Sequence, residues 1–237
     1  MSKQHAVVLG GSSGIGLATA RQLLPDGFDV TIVGRDADRL RHAADTLGTA
    51  TAVTADAADS AALAAAFQEI GRFDHLVLAL GSRRGAGSFA SLDIDDVRLG
   101  FEEKVFPHFQ AAQLALPHLN DGGSLTFVAA LSAHVAAAGM SGIGAANAAI
   151  VALVPMLAVE LKPLRVNGVS PGVIDTPWWD FLPEEQKRAG FAQYAAITPV
   201  GRTGTPDDVA RTIAFLVENG FVTGQTILCD GGLALAA

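Results

Sequence analysis

The sequence predicts a single α/β domain with a doubly wound parallel sheet, and three observations support this prediction. The chain has 237 residues, enough for one large domain. Short β-branched apolar runs alternate with alanine-rich stretches of helical length. This alternation continues through the whole chain without a linker, repeat or low-complexity tract. We therefore expect one domain over residues 1–237, with helices flanking the sheet.

Seven short apolar runs are predicted as strands. Most of them lack alternation of polar and apolar residues, which is typical of strands covered on both faces in a parallel sheet. The predicted strands are residues 5–9, 29–33, 50–54, 75–80, 124–128, 165–169 and 226–229.

Six stretches between the strands are predicted as helices, and one longer stretch is predicted as a lid. Thr205-Pro206 ahead of an acidic turn is a typical helix start. Residues 175–204 show no clear period and are expected to form mixed loop and short helix over a substrate site. The predicted helices are residues 16–24, 37–47, 61–70, 96–119, 142–161 and 206–217.

The composition excludes several classes of protein. A net charge of −8 argues against nucleic-acid binding, because phosphate contacts require a basic face. The single cysteine, Cys229, excludes an internal disulfide framework and favours a cytoplasmic location. The longest apolar run, residues 148–159, contains Pro155 and is too short to span a membrane. We expect no membrane partner and no metal site.

A glycine-rich turn directly after the first strand predicts a phosphate site. Glycines at such a turn allow the backbone to approach a pyrophosphate, which then binds the N–H groups at the start of the following helix. The position of the turn near the beginning of the chain favours this interpretation over an ordinary strand-to-helix turn. The segment is Gly10-Gly11-Ser12-Ser13-Gly14-Ile15-Gly16.

This segment, with Leu9 before it, resembles the Thr-Gly-x-x-x-Gly-Ile-Gly signature of the short-chain dehydrogenase/reductase family. The resemblance implies a Rossmann-type domain with a seven-stranded parallel sheet, a nicotinamide cofactor and a small-molecule carbonyl or alcohol substrate. It also implies a homotetramer or homodimer with residues 230–237 near an interface. Four later blocks extend the resemblance, at residues 166–176 (VNGVSPGVIDT), 199–202 (PVGR), 206–210 (PDDVA) and 230–232 (DGG).

The end of the second strand favours NADP(H) over NAD(H). Arg35 follows Gly34, and in the resembling family an arginine there usually accompanies the 2′-phosphate of NADP(H). The alternative is that Arg35 is a solvated loop residue. Asp36 could instead bind a ribose diol, but a role as N-cap of the next helix is the favoured interpretation. Hydroxyl groups of Ser12 and Ser13 could add contacts to the 2′-phosphate.

The resemblance also implies further cofactor contacts. Asp56 stands where the family places an aspartate against the adenine; alternatively it is a helix cap or an ordinary loop acid. The other positions implied to contact the cofactor are Ala57, Leu80, Gly81, Asn147, Pro171, Gly172, Ile174 and Thr176.

The catalytic positions depart from the family pattern. The resemblance implies an Asn-Ser-Tyr-Lys set, whose tyrosine moves the proton and whose serine polarises the substrate oxygen. Tyr194 is the only tyrosine and lies far downstream, so no neighbouring register restores the proton donor. The expected proton machinery is therefore missing. In the order of the set, the four positions hold Lys104, Ala130, Ile143 and Asn147.

Four groups could substitute for the missing ones, namely Lys104, Ser132, His134 and Tyr194. Lys104 could project toward the vacated water site, although a surface lysine reaching into solvent is the favoured interpretation. Ser132 and His134 follow the fifth strand; His134 could donate a proton at neutral pH, although a polar loop group is the favoured interpretation. Asn147 could still hydrogen-bond the hydroxyls of a cofactor ribose.

Tyr194, in the predicted lid, could reach the pocket. The favoured interpretation is that it packs in an aromatic cluster. These aromatics favour an apolar or flat substrate, or alternatively line a subunit interface. The other expected members of the cluster are Trp178, Trp179, Phe181 and Phe191.

Three functions remain open from the sequence. The first is an NADP(H)-dependent oxidoreductase with a non-standard proton donor. The second is a catalytically silent dinucleotide-binding partner or sensor. The third is a non-redox enzyme, such as a dehydratase, isomerase or cyclase, on the same fold.

Overall fold

The computed structural model describes residues 3–236 and contains one seven-stranded parallel sheet. The order of the strands across the sheet is β3-β2-β1-β4-β5-β6-β7. This order and the helices on both faces confirm the predicted doubly wound fold. The strands are β1 His5–Leu9, β2 Asp29–Gly34, β3 Thr51–Thr54, β4 Phe73–Leu78, β5 Leu119–Val128, β6 Arg165–Pro171 and β7 Thr226–Cys229.

Helices cover both faces of the sheet. One face packs against α3, α5 and α6, around buried residues such as Leu76 and Phe127. The other face packs against α1, α2 and α8, around buried residues such as Ile32 and Val209. The helices are α1 Gly14–Leu23, α2 Ala37–Leu47, α3 Ser60–Ile70, α4 Ile94–Gly100, α5 Phe106–Ala115, α6 Ser141–Glu160, α7 Glu184–Ile197, α8 Pro206–Glu218 and α9 Leu233–Ala236.

The order in which strands are added to the sheet switches from one side of β1 to the other at β4, and this switch point locates the candidate site. Strands β2 and β3 lie on one side of β1, whereas β4 to β7 lie on the other. In open parallel sheets, ligands bind beyond the carboxyl ends of the strands at such a point. The turns after β1 and β4 meet there, and the amide of Ala79 donates to the carbonyl oxygen of Leu9 at 2.9 Å.

The fourth strand begins and ends two residues earlier than predicted. Its pairing with β1 runs from Ala6 opposite His75 to Leu9 opposite Leu78. Ala79 still donates its amide to the carbonyl oxygen of Leu9, and the chain then leaves the sheet where β1 gives way to the glycine-rich turn. The prediction of a strand over residues 75–80 was therefore wrong at both ends.

The prediction of one helix over residues 96–119 was also wrong. Helix α4 ends at Gly100, a π-helical turn occupies Phe101–Val105, α5 follows, and a 3₁₀ turn covers Leu116–His118. Pro107 explains the wide turn, because proline has no N–H and its ring clashes with the carbonyl group four residues earlier. The amide of Phe106 donates instead to the carbonyl of Phe101, five residues back.

The predicted lid, residues 175–204, contains more helix than expected. A 3₁₀ turn at Pro177–Trp179 leads into α7, which has 14 residues. Lys187 of α7 forms ion pairs with Asp175 at 3.4 Å and Asp180 at 3.1 Å. These ion pairs hold α7 against the segment that leaves β6.

Helix α6 has the length and composition of a membrane span, with a hydropathy of 2.0. Core helices of globular proteins share this length and composition. About one third of α6 is buried within the domain, where the helix packs against β6.

Candidate active site

The glycine-rich turn has a geometry that only glycine can adopt at several positions. Gly10 and Gly14 have φ angles of +78° and +52°. A Cβ atom on Gly16 would overlap the carbonyl oxygen of Gly10, and one on Gly10 would overlap that of Ala79. The backbone of the turn is therefore packed tightly against itself and against Ala79, at the carboxyl end of β1.

The start of α1 is free to bind a ligand. Ser13 is the N-cap residue, but its side chain makes no capping hydrogen bond. By contrast, Asp36 caps α2 and Asp59 caps α3 through their carboxylates. The first N–H groups of α1 thus remain available for an anion, as in the phosphate sites of dinucleotide-binding proteins.

The two residues after β2 differ in their roles. Asp36 Oδ1 accepts a hydrogen bond from the amide of Arg39 at 3.0 Å, which confirms its predicted role as the N-cap of α2. Arg35 is exposed, and no hydrogen bond or ion pair engages it within residues 3–236. Ser12 lies beside the same turn, with its Oγ 3.5 Å from a Cβ position on Gly34. An exposed guanidinium therefore stands next to the glycine-rich turn.

The turn after β3 is locally ordered. The Asp56 carboxylate accepts from the amide of Ala58 at 2.9 Å, so it stabilises its own loop rather than capping α3. The carbonyl oxygen of Ala57 accepts from Gln110 of α5. The contact of Asp56 and Ala57 with an adenine stays a prediction.

The segment after β6 reaches over the glycine-rich turn. Pro171 ends β6, and Gly172 lies so close to Asp230 that a Cβ atom would come within 2.8 Å of the Asp230 Cα. Ile174 is buried, and a Cβ atom on Gly14 would lie 3.4 Å from that of Thr176. The cleft is therefore bounded by the turn after β1 on one side and by Thr176 on the other.

Helix α6 carries Asn147, a buried amide with partners on two segments. Asn147 is 2% exposed; its Nδ2 donates to Ser132 Oγ at 3.1 Å and to the carbonyl oxygen of Ile143 at 2.9 Å. Its Oδ1 is buried and has no partner among the described residues. Ala130 precedes the short 3₁₀ turn that carries Ser132. The structure thus brings Ser132 and Asn147 together.

Lys104 is buried, so the favoured expectation of a surface lysine was wrong. The residue is 6% exposed, and its Nζ donates to the carbonyl oxygen of Ala129 at 3.3 Å. The π-helical turn directs it inward toward Ala129, which follows β5, and α6 packs against the same turn. Burial lowers the pKa of the Lys104 ammonium group to about 8.

His108 is a second buried base, one turn after Lys104. Its Nδ1 lies 2.7 Å from the Lys104 carbonyl oxygen, and its Nε2 lies 3.2 Å from that of Leu78. Burial, and then the charge of Lys104, lower the pKa of His108 to about 3. A neutral imidazole can donate to only one of these two carbonyls. Sequence reasoning missed this residue, although its spacing of four from Lys104 places both on one helix face.

His134 and Ser132 point to different partners. The Nε2 of His134 lies 2.8 Å from the Oγ of Ser170, near the end of β6, whereas Ser132 contacts Asn147. His134 is exposed, and Ser170 is fully buried. A role of His134 in proton transfer stays a prediction.

The aromatic cluster of the predicted lid forms without Tyr194. Tyr194 is half-buried on α7 and makes no aromatic pair within the described chain, so its expected place in the cluster was wrong. The other four expected members pack together at centroid distances of 4.7–6.4 Å; they are Trp178, Trp179, Phe181 and Phe191.

The cluster rests on the loop after β4, a contact that sequence reasoning missed. Trp178 Nε1 donates to the carbonyl oxygen of Ser82 at 3.2 Å, and its Cδ1 lies 3.8 Å from a Cβ position on Gly81. Arg83 lies over the Phe181 ring at 5.2 Å. Leu80 is half-buried at the start of this loop. The Trp-Trp-Asp-Phe run was the only signal in the sequence for such an anchor.

No group of three or more His, Cys, Asp or Glu side chains is placed to share a metal ion within residues 3–236. The polar groups described above include Arg35, the Ser132–Asn147 pair and Lys104.

A parallel sheet whose strand order switches between β1 and β4, with a glycine-rich turn at the switch point, is typical of dinucleotide-binding α/β proteins. Comparison with known proteins makes the assignment specific. The family model described as "Enoyl-(Acyl carrier protein) reductase" matches residues 10–234. The chain belongs to the short-chain dehydrogenase/reductase family of oxidoreductases.

Relatives with related names align over almost the entire chain. "Carbonyl reductase family member 4" of Xenopus tropicalis is 30% identical and covers 96% of this chain and 97% of its own. "Cis-4-hydroxycyclohexanecarboxylate dehydrogenase" of Sinomonas cyclohexanicum is 35% identical and covers 98% of this chain and 96% of its own.

Solved structures agree with the fold. A small-chain dehydrogenase in complex with NADPH superposes with a TM-score of 0.87 at 30% identity, covering 99% of this chain and all of its own. A short-chain type dehydrogenase/reductase from Mycobacterium ulcerans superposes with a TM-score of 0.90 at 28% identity, covering 100% of this chain and 92% of its own.

Proposed function

We propose that this chain is an NADP(H)-dependent oxidoreductase that acts on a small, apolar carbonyl or alcohol substrate with a proton donor other than tyrosine. The observation that carries this proposal is the geometry of the glycine-rich turn and its surroundings at the carboxyl end of β1. The tight turn at Gly10–Gly16 and the uncapped start of α1 match a pyrophosphate, and the unpaired Arg35 matches a 2′-phosphate.

When bound, the nicotinamide would supply or accept a hydride. The residues of the chain have separate tasks around it. The N–H groups of α1 bind the pyrophosphate, Arg35 pairs with the phosphate on the adenosine ribose, and Thr176 closes the cleft opposite Gly14. The NADPH complex of a 30% identical relative supports this arrangement.

Ser132 is the best placed group to polarise a substrate oxygen. Its Oγ already accepts a hydrogen bond from Asn147 Nδ2 at 3.1 Å. The hydroxyl hydrogen is therefore free to donate elsewhere, and Ser132 is only half-buried. Ser132 lies two residues beyond Ala130, so it can take over the role that a serine at position 130 would have.

Cofactor binding and turnover test the proposal together. We expect calorimetry to give a dissociation constant for NADPH at least about tenfold below that for NADH. With small cyclic and aromatic ketones, we expect consumption of NADPH, and Ser132→Ala should lower kcat about 10²-fold. Ser60→Ala, on the exposed start of α3, is the matched control and should leave turnover unchanged.

Two results would contradict this function. Tight NADPH binding without consumption across the substrate panel would favour a silent dinucleotide-binding partner, which the loss of tyrosine at position 143 also fits. Conversion of a substrate without any change in nicotinamide absorbance would favour a non-redox enzyme.

A further inference from the structure

One arginine beside the aromatic cluster is held in place but has no anionic partner. The guanidinium carbon of Arg83 lies 5.2 Å from the centroid of the Phe181 ring. Arg83 forms no ion pair and no side-chain hydrogen bond within residues 3–236. Most other arginines of the described chain bind carboxylates or carbonyl oxygens, as the next residue, Arg84, does with Glu103. The charge of Arg83 is therefore uncompensated.

The backbone on both sides of Arg83 is fixed to segments that border the site. On one side, the carbonyl oxygen of Ser82 accepts a hydrogen bond from Trp178 Nε1 at 3.2 Å. On the other side, the carbonyl oxygen of Gly85 accepts from the amide of Ile143 at 3.0 Å. Arg83 therefore lies between the aromatic segment after β6 and the start of α6, where Ile143 replaces the expected tyrosine.

Contacts with the glycine-rich turn place this segment at the mouth of the cleft. Trp178 Cδ1 lies 3.8 Å from a Cβ position on Gly81, in the loop after β4. Two residues before Trp178, the Cβ of Thr176 lies 3.4 Å from a Cβ position on Gly14. The loop after β4 therefore runs from the side of the cofactor turn to the start of α6, and Arg83 lies between these two ends.

The carboxylates of the neighbouring segments are already engaged. Glu103 and Asp96 both pair with Arg84, at 3.4 and 3.1 Å. Asp180, in the aromatic segment, pairs with Lys187 at 3.1 Å. None of these three carboxylates pairs with the guanidinium over the aromatic ring. The unmatched positive charge is thus left for an anion from outside the chain.

The ring of Phe181 lowers the entropic cost of binding such an anion. An arginine that is free in solvent loses rotamer entropy when it forms an ion pair. Stacking over a ring restricts those rotamers beforehand and preorganises the guanidinium. Phe181 is itself 51% exposed, so apolar surface stays accessible beside the charge. The two side chains together offer one planar cation next to one apolar ring.

We propose that Arg83 binds a carboxylate of the substrate, whose remaining body is apolar. This assignment rests on the proposed function and names its substrate class as a ketone or alcohol that carries a carboxylate. A planar guanidinium can donate two parallel hydrogen bonds to a carboxylate. One guanidinium matches the single charge of a carboxylate, whereas a phosphate group carries up to two, and Arg84 is already neutralised. The carboxylate takes no part in the reaction and fixes the orientation of the substrate.

Matched ketones test the assignment by turnover. Meta- and para-acetylbenzoate are compared with the corresponding acetylbenzamides, which are planar but neutral. For the wild type, we expect kcat/KM to be at least about tenfold higher with the carboxylates. Arg83→Gln should remove this preference, mainly by raising KM for the acetylbenzoates, and should leave turnover of the acetylbenzamides unchanged. Arg83→Lys keeps the charge without the planar fork and should recover part of the preference.

A second exposed arginine provides the matched control. Arg98 lies on α4 and pairs with Asp95, so Arg98→Gln should behave as the wild type with every ketone. Equal losses for Arg83→Gln with acetylbenzoates and acetylbenzamides would show that Arg83 only supports the aromatic cluster. That result, or the absence of any preference for the carboxylates in the wild type, would overturn the assignment.

Binding without turnover separates this assignment from the proposed function. Dissociation constants for benzoate, benzamide and phenyl phosphate are measured by ligand-observed NMR, with and without NADPH. We expect the wild type to bind benzoate at least about tenfold more tightly than benzamide, and Arg83→Gln to bind both equally. If the wild type consumes no NADPH with any ketone, the proposed function fails, and these constants alone decide on Arg83. Tighter binding of phenyl phosphate than of benzoate would overturn the carboxylate in favour of a phosphate group.

Discussion

The ammonium group of Lys104 donates to the carbonyl oxygen of Ala129 across 3.3 Å, beneath the end of β5. This contact brings a positive charge into a position that is 6% exposed and lacks an acidic partner within the described chain. The site therefore keeps a residue that lowers the stability of the fold, a pattern that is typical of functional positions.

We predict that Lys104→Met stabilises the protein at neutral pH by about 1–3 kcal/mol, because methionine fills the same volume without a buried charge. The advantage should depend on pH. The pKa of Lys104 is lowered to about 8, so between pH 8 and about 10.5 the unfolded chain holds more protons at this residue. Wild-type stability therefore rises over that range, and the advantage of Lys104→Met shrinks. Urea unfolding at pH 7 and pH 10 measures both effects; an advantage that grows with pH would contradict the assignment.

We predict that Gly16→Ala abolishes NADPH binding and lowers stability by about 1–3 kcal/mol, because the added Cβ overlaps the carbonyl oxygen of Gly10. Gly190→Ala is the matched control. Gly190 lies in α7 with open space around its Cβ position, so alanine there should stabilise by about 0.5–1 kcal/mol. Calorimetric titration and thermal unfolding of both variants test this; normal NADPH binding by Gly16→Ala would show that the turn is not the cofactor cradle.

We predict that Arg35→Ala weakens NADPH binding about 10- to 100-fold and leaves NADH binding unchanged, because the lost contacts would be charge-assisted hydrogen bonds to the 2′-phosphate. Arg41→Ala serves as control, since Arg41 pairs with Asp38 on the surface of α2. Titration with both cofactors measures the change. Equal losses for NADPH and NADH would remove Arg35 from the 2′-phosphate site.

We predict that His75 contributes to unfolding in acid. Burial, and then the charge of Arg165, lower its pKa to about 4, while Ser124 Oγ lies 2.8 Å from its Nδ1. Above pH 6.5 both folded and unfolded chains hold the neutral ring. As pH falls from 6.5 to 4 the unfolded chain takes up the proton first, so about 3 kcal/mol of stability is lost.

His75→Gln should therefore flatten the pH dependence of the urea midpoint between pH 6.5 and 4. The exposed His42→Gln is the control and should follow the wild type. A His75→Gln profile that parallels the wild type throughout this range would mean that another group governs the acid transition.

The α/β fold could be predicted from the sequence because each strand is a local apolar run and the glycine-rich turn marks the passage from β1 to α1. Prediction was less reliable for the ends of an element where a neighbouring element determines them. β4 ends at Leu78 because its neighbour β1 ends at Leu9, a relationship that residues 75–80 do not contain. The α6 helix boundaries, by contrast, differ from the prediction by a single residue at each end.

The predicted cofactor positions rest on local patterns, whereas the burial of Lys104 does not follow from any local pattern. Its burial depends on a wide helical turn caused by Pro107 and on coverage by α6, whose residues lie about 40 positions further along the chain. A proline inside a predicted helix was the available signal. The contact between Trp178 and Ser82 likewise joins segments 96 residues apart; the Trp-Trp-Asp-Phe run indicates an anchor but does not identify its partner.

Both tryptophans of the chain, Trp178 and Trp179, lie side by side in the 3₁₀ turn that rests against the loop after β4. The tryptophan fluorescence of this protein therefore originates from that one segment. A change in its wavelength or intensity reports the movement of the segment away from Ser82 without any attached dye. The chain thus carries its own optical probe at the mouth of the cleft.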